Sequence, residues 1–160
     1  MNVNIYIVPG DRGPAKRNIE TCTILEAEAR GGCATKTYFT EHECVSEVGA
    51  VILSLIEAAG RIKKGHSVSI YADCKAFNAA VENGWLYKWR ENEWMNSKGK
   101  PVHEADKWLK AAYLLIEYGF RLSKDDRGYK NWMREALKQR KAARLLIGRK
   151  NEQGSKKTPI

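Results

Sequence analysis

The sequence predicts an α/β fold, a mixed five-stranded sheet with helices on both faces. Three observations carry that expectation. Strand-like runs come first, three in succession, and the dipeptides Pro9-Gly10 and Gly31-Gly32 punctuate them. Helical periodicity then takes over and is interrupted by one run, "SVSIYA" (Ser67–Ala72), whose alternation is that of a strand. A last short strand pattern, "FRLS", precedes a final helix. The order β-β-β-α-β-α-α-α-β-α implies an antiparallel meander of three strands continued by parallel strands through crossover connections.

Each element has its own warrant. Val3–Val8 ("VNIYIV") is a strand, and Thr21–Arg30 and Cys33–Phe39 flank the diglycine as a hairpin. Thr40 opens "TEHE", a capping-box pattern in which Glu43 answers the Thr40 cap, so a helix is expected from there to about Ile62. Val48, Val51, Ile52, Leu55 and Ile56 form its apolar face. Lys75–Glu82 is a short helix broken at Asn83-Gly84, "WLYKWRENEW" a second, and His103 to Glu117 a third. Phe120–Ser123 is the last strand and Tyr129–Ile147 the last helix. Residues 1–148 read as one domain, and residues 149–160 as a basic, disordered tail.

At 160 residues and 43% hydrophobic content the chain can bury a core, and no apolar run has the length of a membrane span. The N-terminus lacks the basic and apolar regions of a secretory signal, so a cytoplasmic location is expected. The cysteines (Cys22, Cys33, Cys44, Cys74) form no CxxC pair. With His42 nearby they raise a zinc reading, but structural zinc sites bring ligands in close pairs, and reduced thiols are the better expectation. Lys plus Arg total 28 against 19 Asp plus Glu, a net charge of +9, which favours a nucleic acid over a membrane as partner.

The residue that raises the question of chemistry is Asp73, a carboxylate directly after "SVSIYA" and directly before a helix. It is either the N-cap of that helix or an acid at the carboxyl end of a central strand, where open α/β sheets place their sites. Glu47 is either a surface glutamate favoured by the helix dipole or an acid beside the buried face. In "NWMREALKQRKAARLLIGRK" (Asn131–Lys150) the one acid is Glu135, either paired with Lys138 or held for a site. Four tryptophans, Trp85, Trp89, Trp94 and Trp108, are interleaved with Lys88, Arg90, Lys98, Lys100 and Lys107. Such cations hold phosphates, and the aromatics stiffen a platform or touch sugars and bases.

The order of elements, with acids at those element ends, resembles the ribonuclease H family. "NGWLYKWRENEWMNSKGKPVHEADKWL" (Asn83–Leu109) is similar to the basic handle of bacterial type 1 ribonuclease H. The resemblance spans Thr40 to Leu122 and weakens at both ends. It implies a ribonuclease H-like fold and four carboxylates holding two divalent ions, Mg2+ or Mn2+, for phosphodiester hydrolysis. On that reading Glu47, Asp73 and Glu135 are catalytic metal ligands. Trp85, Lys88, Trp89, Arg90, Trp94, Lys98 and Lys100 bind nucleic acid, an RNA–DNA hybrid, and the protein is a monomer.

Two departures bear on activity. Where the resemblance places the first acid, at the end of the first strand, stands Val8, with Asp11 three residues on as the candidate replacement. The histidine of the loop before the last helix is absent from "KDDRGYKN". The expected function is a divergent ribonuclease H that cuts the RNA strand of hybrids. The alternative is a catalytically impaired nucleic-acid-binding module of the same fold, and a related nuclease acting on DNA comes third.

Overall fold

Along β1 (Asn2–Pro9) alternate side chains part to opposite faces of the sheet. Val3, Ile5 and Ile7 enter one apolar cluster, while Tyr6 and Val8 enter another. A strand buried on both faces belongs at the centre of a sheet, and β1 lies there. The computed structural model describes residues 2–157, with side chains described for residues 2–148. The sheet order is β3-β2-β1-β4-β5, where β2 is Arg17–Ala29, β3 Gly32–Val45, β4 Ser67–Ala72 and β5 Arg121–Leu122. β1, β2 and β3 form the antiparallel meander, and β4 joins β1 in parallel, pairing Ile5 with Ile70 and Ile7 with Ala72. This is the mixed five-stranded sheet the sequence predicts.

Helices cover both faces. α1 (Glu47–Gly60), α2 (Lys75–Glu82), α3 (Trp85–Glu91) and α4 (Ala105–Ala112) lie on the side of Ile5 and Ile7, where Val51, Ile52, Leu55, Phe77 and Trp108 complete the larger cluster. α5 (Tyr129–Lys157) covers the other face through Met133 and Leu137, which pack with Tyr6, Val8, Cys22 and Ile24. Of the tail expected at residues 149–160, the backbone is described to Lys157 as part of α5, while its side chains and residues 158–160 lie outside the described residues. Among the described residues no helix is long and apolar enough to cross a membrane.

Several boundaries differ from the sequence reading, among them the start of β2 at Arg17 and the end of α5 at Lys157, and two have a local cause. The Thr40–Glu43 capping box does not form, because β3 runs on to Val45 and pairs Thr40 with Thr21 and Val45 with Arg17. Ladder hydrogen bonds to an available β2 outweigh the local cap, and a register shift between Arg17 and Ile19 absorbs the extension. The cap of α1 is Ser46, whose Oγ accepts from the Gly49 amide at 3.1 Å and donates to buried Glu104 at 3.0 Å. The helix expected over His103–Glu117 starts at Ala105 and is α-helical only to Ala112, after which Tyr113–Glu117 form a π-helical turn.

Ser46 therefore serves two elements, α1 through its cap and the α4 segment through Glu104. Ser46→Ala should lower the unfolding free energy by about 1–3 kcal/mol in urea titration, since it removes the cap and leaves a buried carboxylate short of a donor.

Candidate functional site

The strand pairing that centres β1 also fixes the position of Asp73. Its backbone N–H donates to the Ile7 carbonyl at 2.9 Å, extending the β1–β4 ladder by one step beyond Ala72. Asp73 thus stands beside Val8 at the carboxyl ends of the two central strands. Tyr6 pairs with Tyr71 on the α5 face, and two residues on Val8 and Asp73 share that face. The N-cap of α2 is Cys74 and makes no side-chain capping bond, so Asp73 is not the helix cap.

Two arginines hold the Asp73 carboxylate. Arg134 of α5 donates Nε to Oδ2 at 2.6 Å and Nη2 to Oδ1 at 2.7 Å, a bidentate fork. Arg12 donates Nη2 to Oδ2 at 2.6 Å, and its Nη1 reaches the Asp73 carbonyl. Nη1 of Arg12 also donates to Glu47 Oε2 at 3.1 Å. The loop carrying Arg12 is docked on α1: the Gly13 amide donates to Glu47 Oε1 at 3.0 Å, and the Glu47 amide donates to the Gly13 carbonyl at 3.1 Å. Gly13 has φ 97°, which an L side chain rarely adopts, so glycine lets the loop turn its amide onto Glu47. Gly10, at the start of the loop, lies so close to the Glu20 carbonyl that a Cβ would come within 2.8 Å of it.

Burial by itself would raise the Asp73 carboxyl, but the hydrogen bonds from Arg134 and Arg12 outweigh it and hold the group below the usual carboxylate range. Burial works against the Arg12 charge in the same way, and its bonds to Asp73 and Glu47 restore it above the ordinary value. Arg12, Glu47, Asp73, Lys75, Ala76 and Arg134 line a cleft of about 710 Å³.

The structure brings Glu47 and Asp73 to one cleft and leaves the other two expected ligands outside its lining. Asp11 is drawn to α5, where Lys141 Nζ sits 2.8 Å from its Oδ1 and Arg17 lies at 3.9 Å. Glu135 is exposed and accepts only a 3.4 Å bond from Gln139, one turn on, rather than pairing with Lys138. Its direction follows from helix geometry. Met133 and Leu137 mark the buried stripe of α5, and at 100° per residue Glu135 points about 180° away from its centre, Arg134 only about 80°. The last-helix side chain that reaches Asp73 is therefore a cation. Sequence reasoning passed over both Arg12 and Arg134. The phase of the Met133–Leu137 stripe was the signal for Arg134.

This donor set does not fit a pair of divalent ions. Val8 is fully buried among Tyr6, Cys22, Ile24, Met133 and Leu137 and offers no oxygen. Glu47 and Asp73 already neutralise two guanidinium groups. Among the described residues no three His, Cys, Asp or Glu side chains form a group able to hold a metal, which includes the cysteines and His42 of the zinc reading. All four cysteines are free, and burial pushes the Cys22 and Cys74 thiols up to about 12.

The expected nucleic-acid-binding residues divide by burial. Trp108 stacks on Phe77 (centroids 5.4 Å apart), Trp89 packs on Trp108 at 5.6 Å and Trp85 on Trp89 at 6.0 Å. This row runs outward from the core, with Trp89 half-buried and Trp85 the exposed end, while Trp94, outside the row, packs half-buried against the same core. After Trp94 comes a tight turn, in which Asn96 Oδ1 accepts from the amides of Lys98 and Lys100, and both lysines are exposed. Lys88 is exposed, and Arg90 pairs with Glu117 at 3.3 Å.

Comparison with known proteins gives a consistent picture. No protein-family model matches the chain. It is 41% identical over 107 residues to a ribonuclease H of Nitratidesulfovibrio vulgaris strain Miyazaki F, covering 67% of this chain and 62% of that protein. It is 34% identical over 100 residues to a ribonuclease H of Chlorobium chlorochromatii, covering 58% and 66%. The chain thus spans less than two thirds of the length of either relative. Among solved structures it is similar in fold to LC9-RNase H1 (TM-score 0.62, 15% identity, 86% of this chain and 69% of that one). It is also similar to the RNase H domain of PFV (TM-score 0.61, 15% identity, 84% and 90%).

The Asp73 cluster has a pH signature. A carboxyl whose folded pKa is depressed contributes stability that is present above the unfolded value, about 3.9, and lost as pH falls through the folded pKa. Unfolding free energies measured from pH 5 downward should fall more steeply for the wild type than for Asp73→Asn. Parallel curves would mean that the arginines do not hold Asp73 in solution.

Proposed function

We propose that this chain, which belongs to the ribonuclease H family, binds nucleic acid of the RNA–DNA hybrid class without the two-ion hydrolysis of the phosphodiester bond. One observation carries the reading: the carboxylates that converge at the carboxyl ends of β1 and β4 are paired with Arg12 and Arg134. Divalent ions would have to displace both arginines, and charge-assisted hydrogen bonds contribute on the order of 1.5–3 kcal/mol each, towards the lower end for half-exposed partners such as these. With Val8 at the neighbouring strand end, too few oxygens remain to reward the displacement.

Hybrid binding is supported by several features together. The curated relatives are named ribonuclease H, and the chain carries a net charge of +9. Lys88 lies between Trp85 and Trp89 of the aromatic row on α3, and Lys98 and Lys100 are exposed on the turn that follows Trp94. The aromatic row stiffens the segment that carries Lys88, and the exposed lysines of this basic region meet phosphates. A reducing, cytoplasmic setting and a monomeric state belong to the same reading, and free thiols at all four cysteines accord with the former.

A second reading, a slow and divergent ribonuclease H using Mg2+ or Mn2+, is favoured by one feature: Glu47 and Asp73 share a single guanidinium carried on an exposed loop. A labelled hybrid incubated with Mg2+, Mn2+ or EDTA separates the two. The proposed function predicts no metal-dependent cleavage by the wild type. Combining Val8→Asp with Arg134→Asp places carboxylates on both sides of Asp73 and should raise cleavage at least tenfold, about 1.4 kcal/mol in barrier. Metal-dependent cleavage by the wild type that Asp73→Asn abolishes would establish the second reading instead. Replacing Lys88, Lys98 and Lys100 with Ala should weaken hybrid binding and reduce its salt slope by about 0.7–0.9 log units for each phosphate no longer neutralised. An unchanged slope would make the handle purely structural.

A further inference from the structure

The cations in the Asp73 cleft outnumber its carboxylates. Arg12, Arg134 and Lys75 face Glu47 and Asp73, an excess of one positive charge in a cleft of about 710 Å³. A guanidinium has five N–H groups. Arg12 engages three of them, two from Nη1 and one from Nη2, leaving two; Arg134 engages Nε and one from Nη2, leaving three. Among the described residues these five N–H groups have no protein acceptor, and Lys75 has neither an ion pair nor a side-chain hydrogen bond. Both arginines are about half exposed, with side-chain exposures of 46% and 48%. The first turn of α2, which carries Lys75 and Ala76, has no side-chain oxygen cap. The carboxylates set the orientation of the two guanidiniums, so the outward N–H groups are held in place before any ligand arrives.

From this arrangement we infer that the cleft is a metal-independent phosphodiester clamp, in which Arg12, Arg134 and Lys75 bind a backbone phosphate of the nucleic acid. The inference rests on the hybrid-binding reading above and assigns the cleft a ligand. A phosphodiester offers two anionic non-bridging oxygens, which match outward guanidinium N–H groups and a neighbouring ammonium. Glu47 and Asp73 act here as positioning residues. They hold the arginines and do not touch the phosphate.

The test is hybrid binding by fluorescence anisotropy across a salt series, in EDTA and in Mg2+, for the wild type, Lys75→Gln, Asp73→Asn, and Asp73→Asn combined with Arg134→Gln. Thermal unfolding confirms that each variant is folded. The clamp predicts equal wild-type affinity in EDTA and Mg2+ at matched ionic strength. Lys75→Gln should lose about 0.7–0.9 log units of salt slope. Asp73→Asn removes a negative charge at the cost of the fork that orients Arg134 and serves as the background, in which adding Arg134→Gln should cost about 0.7–0.9 log units of slope, one phosphate's worth. If Arg134 serves only to neutralise Asp73, its removal in the Asp73→Asn background changes nothing, and the clamp is overturned. Inorganic phosphate and a nucleoside monophosphate form the second arm. A small anion that binds through Arg134 and Lys75 while hybrid slopes ignore both residues would overturn the polynucleotide assignment. Wild type that binds no hybrid at all would overturn the hybrid-binding reading and the clamp together, whereas handle-dependent binding indifferent to Lys75 and Arg134 would overturn the clamp alone.

Discussion

The carboxylate of Asp73, gripped by Arg134 from one side and Arg12 from the other, is the contact on which the carboxyl end of the sheet depends. It ties three segments that the chain order keeps far apart: the loop after β1, the end of β4 and the first turns of α5. Through Arg12 and Gly13 it extends to Glu47 and so to the N-terminus of α1. Hydrogen bonds between ionised partners are the strong ones, and a carboxylate with 13% of its side chain exposed needs them to remain charged. Electrostatically, the cluster puts monovalent, immobile cations where a hydrolytic site would hold exchangeable divalent ones.

The same logic recurs along α5. Arg140 forks onto Glu20 at 2.9 and 3.0 Å while covering the Phe39 ring, and Lys141 holds Asp11. A helix whose polar face is strongly basic is thereby fastened to acids on β2 and on the loop after β1, and Met133 and Leu137 bury its apolar stripe. Asp11 is consumed by this fastening, which is why it is not turned towards Asp73. The handle follows a different principle, a row of packed aromatic rings that carries rigidity outward from Phe77 to Trp85.

The fold was legible because each strand declared itself by alternation and each helix by its apolar face, and what escaped were element boundaries, the first of them set by competition. Thr40–Glu43 satisfied a capping pattern, yet the free edge of β2 offered more backbone hydrogen bonds than the cap. That Glu47 and Asp73 come together was legible because both sit at element ends that converge in this topology. Glu135 does not join them: it was chosen as the one acid in a basic helix, a criterion of composition, whereas side-chain direction is decided by the phase of Met133 and Leu137. Arg12 and Arg134 were passed over for a related reason. In a chain with 28 basic residues no single arginine stands out until its partner carboxylate is located.

Whether guanidinium groups or divalent ions occupy the Glu47–Asp73 cleft in solution decides the chemistry of this protein. Titration of the folded wild type with Mn2+, followed by paramagnetic broadening of its NMR resonances, asks this without any substrate. At millimolar Mn2+ the resonances of Glu47, Asp73 and Arg134 should stay sharp in the wild type, and those of Glu47 and Asp73 should broaden in a protein carrying Val8→Asp and Arg134→Asp. Selective broadening of Glu47 and Asp73 in the wild type at micromolar Mn2+ would contradict occupancy by the arginines.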